Sequence, residues 1–469
     1  MSSDPQPSSQ PSSRNPVFIG PPGPAAQAGF HGWFAPAASS ASPTGPTDPG
    51  AQAGPADPGA QSGPTGPTAQ AGSPGRPVPD APGPADPGRG RRSPARRVVR
   101  RAAGWAVVAL IGILSLLILF PDLLGFVSDS ARLSVAYPFA QLIALRSGLV
   151  VGFGLMALVT GASALIRILR REGGRRTAAA LVLLIAAVGH AWVLCSRGLG
   201  NDESSPAALA PAGSISADPA DWDGGLTVFS FNTHYSEAHK VELAVAIRRA
   251  AAEVVVLPET SAEYGQAVAD LLAQDGLRYT VFSAGDQKDA ADPTTVLVSA
   301  VIGDYEQAQA PAGAGHGTVL LRPAGEAELN GHRRPTILGV HTHAPVPGSM
   351  EEWLASVEAV VGQCRGDGSD GDGSDGAGPA PEPGLVVAGD FNATLDHAPM
   401  KDLGGCADAG LEVGIGGVST WPTSSHTTLL GSPIDHVLAD STAWRARSAS
   451  VLTLSGSDHR ALVVELAAA

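Results

Sequence analysis

Cysteine is scarce. The 469 residues contain three, Cys195, Cys364 and Cys406, too few for a disulfide-built scaffold. No CxxC or HExxH motif occurs and no histidine cluster adjoins a cysteine, which argues against soft-metal sites of the zinc-ribbon or zincin kind. Positive charge is missing from one half of the chain. Residues 201–469 carry 13 Lys and Arg against 36 Asp and Glu, whereas residues 1–200 carry 17 against 8. The acidic half would repel a polyanion unless metal ions or a local patch intervened, so a basic nucleic-acid-binding domain is disfavoured. Charge is absent altogether from three 20-residue windows, 102–121, 147–166 and 177–196. That is the length needed to cross about 30 Å of hydrocarbon at roughly 1.5 Å per residue.

What is present divides the chain. Residues 1–101 predict a disordered tail rich in Pro, Gly and Ala, ending in a run of seven arginines between Arg89 and Arg101. Residues 102–197 predict a three-helix transmembrane region; a cleaved signal peptide would not lie so far from the N-terminus or be followed by two more apolar windows. Arg167, Arg170, Arg171, Arg175 and Arg176 crowd the second loop, whereas the first has only Arg132 and Arg146. Positive-inside counting puts the tail and second loop in the cytoplasm and everything after the third span outside, in a multi-pass protein of the cell membrane. The apolar stretch 133–145 is short for a span; inserted, it would invert this topology. His190 lies in the third window without an ionisable neighbour there, which fits a packed histidine better than a functional one.

Residues 198–225 read as a linker and 226–467 as one domain. Cys364 and Cys406 fall in that domain, and the sequence allows both a disulfide and two free thiols. Apolar strands are predicted at 226–231, 253–258, 278–283, 294–299, 317–321, 335–341, 384–388, 434–438 and 461–466, with helices near 237–251, 261–274 and 350–363. Strands interleaved with fewer helices indicate an α/β or α+β sheet domain.

Polar residues gather at the ends of these strands: Asn232, Glu259, His341 and His343, Asp390 and Asn392, Asp435 and His436, Asp458 and His459. Singly, each has a bland account as a turn cap or packed side chain. Together they supply one chemistry. Carboxylate and amide oxygens hold a hard divalent cation, a carboxylate orients or deprotonates water, and imidazolium stabilises charge developing on phosphorus. The insert GDGSDGDGSDG (366–376) fails as a calcium loop. In the register from Asp370, position 6 is Asp375 rather than Gly and position 12 is Pro381 rather than Glu.

The segments FSFNTH (229–234), VVVLPET (254–260), GVHTHAP (339–345), VVAGDFNAT (386–394), PIDHVL (433–438) and SGSDHRAL (455–462) resemble, in order, the endonuclease/exonuclease/phosphatase superfamily. STWP (419–422) resembles its membrane-anchored bacterial members. The resemblance implies an α/β four-layer sandwich of two mixed sheets flanked by helices. It implies Glu259 as principal metal ligand, with Asn232 and Asp458 completing or orienting the site, and Mg²⁺ or Mn²⁺ as the ion. Asp390 would position or deprotonate water, Asn392 would hold the phosphate, His459 would be the catalytic histidine oriented by Asp435, and His341 would contact the phosphate from the other side. His234, His343 and His436 are expected in supporting or surface roles. Pro258 stands where the superfamily commonly has Gln, and LVSAVIGDYE (297–306) departs from its usual pattern. The implied activity is hydrolysis of a phosphate ester, as nuclease, phosphodiesterase or phosphatase, on a lipid headgroup, nucleotide or nucleic acid. The three spans would contact membrane lipid. The rival is a non-catalytic binding domain displayed on the same fold, which loss of the base, the glutamate or the terminal histidine would have favoured; all three are present.

Overall fold

The computed structural model describes residues 94–128, 131–168, 174–201, 218–366, 380–424 and 428–469. The tail as far as residue 93 and the acidic insert from residue 367 lie outside them.

Three helices, α1 (Pro94–Leu119), α3 (Arg146–Ile168) and α4 (Gly174–Ser196), are long and apolar enough to cross a membrane. They coincide with the three uncharged windows. The other apolar stretch is not a fourth such helix. It forms a single turn at Leu133–Val135 and a six-residue helix, α2 (Phe139–Ala144). Ala140 joins a core cluster with Trp353 and Phe391, and Ala144 one with Trp421 and Ile434. Its buried apolar residues pack on the C-terminal part of the chain.

The C-terminal part is two six-stranded sheets. The first has the order β13-β14-β1-β2-β4-β3, from β1 (Leu226–Ser230), β2 (Val254–Leu257), β3 (Tyr279–Ala284), β4 (Thr294–Ser299), β13 (Trp444–Thr453) and β14 (Arg460–Ala468). The second has the order β11-β12-β10-β9-β6-β5. It is built from β5 (Tyr305–Ala308), β6 (Val319–Pro323), β9 (Thr336–His341), β10 (Leu385–Asp390), β11 (Cys406–Asp408) and β12 (Asp435–Asp440). A small hairpin, β7 (Glu328–Leu329) with β8 (His332–Arg333), stands apart.

Val228, Val254, Val256 and Val296 meet Ile337, Val386, Ala388 and Val437 between the sheets. Helices α5 (Lys240–Ala250) and α6 (Ala262–Gln274) cover the outer face of the first sheet through Leu243, Ile247, Val268 and Leu272. Helix α7 (Met350–Arg365) covers the second through Trp353, Val357 and Val360. This is the expected four-layer sandwich. Strands such as β2 and β10 are buried along their whole length because each has a layer on both faces, which is why they read as unbroken apolar runs. β13 gave no such signal, since its edge position leaves polar residues exposed.

Cys364, near the end of α7, and Cys406, opening β11, form a disulfide with Cα atoms 5.3 Å apart. Each fully buried Val, Leu or Phe contributes about 1.5–3 kcal/mol, so the cores and not this single bridge carry the fold.

The domain is bound to the helices by charge. Asp396, six residues beyond Asp390, is gripped by two arginines. Arg146 Nε and Nη2 donate to its carboxylate at 2.8 and 2.6 Å, and Arg197 Nη1 and Nη2 at 2.8 and 2.9 Å. Burial opposes the charge on Asp396, but the two guanidiniums outweigh it and hold the carboxyl below its usual range. Arg146 Nη1 also meets His190 Nδ1 at 2.9 Å, so His190 finds its ionisable partner on a neighbouring helix. Around this clamp, Ser147 Oγ donates to Gly431 O and accepts from Gly431 N, His397 Nε2 pairs with Ala140 O, and Gln141 Nε2 donates to Pro345 O. Gly198, at φ +90°, passes so close that a Cβ there would lie 1.5 Å from Gly414 O.

Two stability outcomes follow. Replacing Cys364 and Cys406 by Ser releases a 42-residue separation and should cost about 2–4 kcal/mol; a denaturation midpoint unmoved by the change would show the bridge contributes nothing. Asp396→Ala leaves Arg146 buried without its counter-charge and should cost about 3–5 kcal/mol. An unchanged melt of the full chain would refute the clamp.

Candidate active site

The site follows from strand direction. β1 and β2 are parallel, as are β9 and β10, while β12 and β14 run antiparallel to β10 and β1. The C-terminal ends of four strands and the starts of two therefore share one edge of the sandwich. In the second sheet the register aligns His341, Asp390 and Asp435 across three neighbouring strands. Gly389 precedes Asp390 at φ +145°, where a Cβ would fall 1.9 Å from Val340 O; only glycine lets β9 and β10 close up there. Glu259 and Asn392 adopt left-handed backbone at φ 52° and 45°, a strain of about 1–3 kcal/mol each that the surrounding hydrogen bonds must offset.

All eight expected residues stand at this edge. Asn232 Nδ2 donates to Glu259 Oε1 at 3.0 Å and to Asp390 Oδ2 at 3.1 Å, joining the two sheets. Tyr235 N donates to Glu259 Oε2. His459 Nδ1 pairs with Asp435 Oδ2 at 2.9 Å, and its Nε2 faces Asp390 Oδ2 at 3.6 Å. Asp458 is held by His234 Nδ1 at 3.0 Å and by the indole of Trp421 at 2.9 Å. Asn392 N donates to Asp390 Oδ1, and its amide nitrogen is taken by Thr342 O.

The surrounding charge separates the two buried histidines. Burial opposes protonation of His459, but Asp435, Asp390 and Asp458 outweigh it and raise its pKa well above the ordinary value. His341 moves the other way: burial, reinforced by His316 and His459, drives it well below. Burial also raises the carboxyls of Asp390 and Glu259, whereas Asp458, despite its own burial, is held well below the usual range by His234 and His459. The charges of the site thus favour the cationic form of His459 and the neutral form of His341.

The donor set fits a hard divalent cation. Among the described residues only histidines form ion pairs with Glu259, Asp390, Asp435 and Asp458. His341 Nδ1 is bonded to Ala291 O, which assigns its proton to that nitrogen. In the neutral ring Nε2 is then a lone pair, 3.8 Å from Glu259 Oε1 and 3.9 Å from Asp390 Oδ2. Three acceptors converge there. Asp390, Asp435 and His459 also bring ligand atoms within 4.8 Å of one another, but Asp435 Oδ2 is already taken by His459 Nδ1. The oxygen donors of Glu259, Asp390, Asp458 and Asn232 are of the kind a hard divalent cation takes.

Of the supporting histidines, His234 holds Asp458, and His436 is buried between Asp408 Oδ2 and Ala393 O. His343 lies beside His316, ring centroids 4.4 Å apart. His316 was missed from sequence. Paired with Asp292 and 4.8 Å from the His341 ring, it precedes β6 at the same edge, so the strand-end rule that found the others applies to it too. Arg146, Arg197 and Asp396 left no local signal, because they meet across long stretches of chain.

A family model described as "Endonuclease/Exonuclease/phosphatase family" matches residues 229–459. Among solved structures, the chain is similar to an endonuclease/exonuclease/phosphatase from Beutenbergia cavernae DSM 12333, at 19% identity over 52% of this chain and 72% of that one, with a TM-score of 0.38. A humanized D. rerio TDP2 matches at 14% identity over 52% and 99%, TM-score 0.39. A mannosyl-6-phosphatase from Bacteroides thetaiotaomicron matches at 13% over 51% and 99%, TM-score 0.38. No curated protein matches. With the six motifs in order and their residues gathered at one edge, residues 229–459 are a domain of the endonuclease/exonuclease/phosphatase family.

Proposed function

We propose that the chain is a membrane-anchored, divalent-metal-dependent hydrolase of phosphate esters whose domain 226–467 acts on the outer side of the membrane, with the tail 1–101 inside. The observation that carries the activity is the buried Asp435–His459 pair facing Asp390 and, across it, Glu259. Asp390, its carboxyl raised by burial, accepts the proton of a water attacking phosphorus in line. Cationic His459, fixed by Asp435, stabilises the phosphoryl oxygens. His341 lies on the far side of Asp390 in the register; neutral, it accepts rather than donates, holding a water or an acidic phosphate oxygen. Asn392 borders the phosphate position. Glu259, Asn232 and Asp458 would hold the cation, which when bound acts as a Lewis acid toward the phosphoryl oxygen. The contacts of segment 133–147 with the domain support placing the first loop and the domain on one side. The arginine-rich second loop then lies on the other, which positive-inside counting makes cytoplasmic.

The test is hydrolysis by the full chain in lipid nanodiscs, with and without Mg²⁺. His459→Ala should lower turnover about 10²–10⁴-fold. Adding Asp435→Ala should cost much less than that change does alone, because coupled residues are not additive. Full turnover in a folded His459→Ala protein would end the catalytic assignment. Glu259→Gln keeps the shape but removes a charged oxygen ligand, so it should raise the Mg²⁺ concentration for half-maximal rate; an unchanged Mg²⁺ dependence would remove Glu259 from the metal site.

A further inference from the structure

The edge of the sandwich that carries the site is also the edge that sits on the membrane helices. The β10 loop holds Asn392 and, four residues on, Asp396 in the grip of Arg146 and Arg197, which begin α3 and follow α4. The loop before β12 does the same. Trp421 donates its indole N–H to Asp458 Oδ2 at 2.9 Å, and its ring packs with Ala144 of α2. One side chain thus touches both the site and the membrane-proximal helix. Further along that loop, Gly431 is bonded in both directions to Ser147, the second residue of α3. Beside it Leu429 and Leu430 are 48% and 42% exposed. In the membrane-spanning reading, leucines exposed beside the first turn of α3 would face the bilayer interface. The headgroup layer is roughly 5–8 Å deep on each side of the hydrocarbon, comparable to the reach of the one indole that separates Asp458 from α2.

From this placement, and resting on the phosphoester-hydrolase reading, we propose that the substrate is a phosphate ester in the headgroup of a membrane lipid, drawn from the bilayer in which the chain is anchored. The clamp sets the edge that carries the site against the apolar helices, and the two leucines lie beside Ser147 at the start of α3, away from the reacting groups. A soluble ester would offer the same phosphate chemistry without using this placement. A polynucleotide would meet the acidic half of the chain, 13 basic against 36 acidic residues. The reaction needs no further reagent: hydroxide from water forms the new P–O bond, the ester P–O bond breaks, and the proton from water ends on the leaving oxygen.

The experiment places the full chain in nanodiscs of equal parts phosphatidylglycerol, phosphatidylethanolamine and phosphatidylinositol with Mg²⁺. Products are measured from three sources at equal phosphate: the nanodisc lipids, their deacylated glycerophospho-counterparts in solution, and a single-stranded DNA oligonucleotide. Lipid hydrolysis should exceed both soluble arms by at least about tenfold, because the anchor raises the effective concentration. Leu429→Ser with Leu430→Ser should reduce the lipid rate several-fold and leave the soluble-ester rate unchanged. Where the pair fails to fold, Leu429→Ser alone is read the same way. Soluble esters or DNA cleaved as fast as lipid would overturn the lipid assignment and leave the hydrolase reading standing. So would leucine variants that lose both rates equally or neither. No hydrolysis in any arm, nor of bis(4-nitrophenyl) phosphate, would overturn both.

Discussion

Val254, Val256 and Val296 on one sheet pack against Ile337, Val386 and Ala388 on the other, and that contact places every functional group in the domain. Glu259 and Asn232 belong to the first sheet, Asp390 and His341 to the second. They come within hydrogen-bonding range only because the sheets stack with their strand ends level. Asn232, donating to a carboxylate from each sheet, closes the seam at the working edge. A shift of one residue in β10 would move Asp390 to the other face of its sheet, so the core fixes the chemistry as firmly as it fixes the fold.

The site is built on an excess of negative charge, buried at Asp390 and Asp435 and partly exposed at Glu259 and Asp458. Glu259, Asp390, Asp435 and Asp458 converge, and the positive charge set against them among the described residues is imidazole. The cost is divided. The carboxylates around His459, which is paired with Asp435, raise its pKa, while burial and neighbouring histidines lower that of His341. An arginine or lysine in the same place would neutralise the carboxylates permanently. Histidines can release their charge when a proton leaves, which arginine and lysine do not do at neutral pH.

The long apolar helices are bound to the loops that carry the candidate site. A carboxylate gripped by two arginines gains specificity from geometry, since each guanidinium offers parallel donors that suit both oxygens. Asp396 lies in the loop that also carries Asp390 and Asn392, so the grip restrains the loop on which the chemistry depends. The short helix α2 adds apolar burial against Trp353, Phe391 and Trp421. The domain sits on the apolar helices through the loops of the candidate site.

The sequence alone determined the three apolar windows, most of the apolar strands along the chain and the eight residues near their ends. Each is written locally: uncharged runs are legible without a partner, and six short motifs keep their spacing whatever surrounds them. It determined the GDFN glycine only as a letter; the carbonyl of Val340, 1.9 Å from where its Cβ would lie, supplies the reason. The tertiary structure decided the rest. It took the apolar stretch 133–145 out of contention as a span by burying it against the domain, and it gave His190 a partner in Arg146. It joined Cys364 to Cys406 and added His316 to the histidines of the site. It also closed Arg146 and Arg197 on Asp396 across separations of 250 and 199 residues. Such pairings are non-local, and no window of sequence contains both partners, so only the folded chain reveals which charges share a buried place.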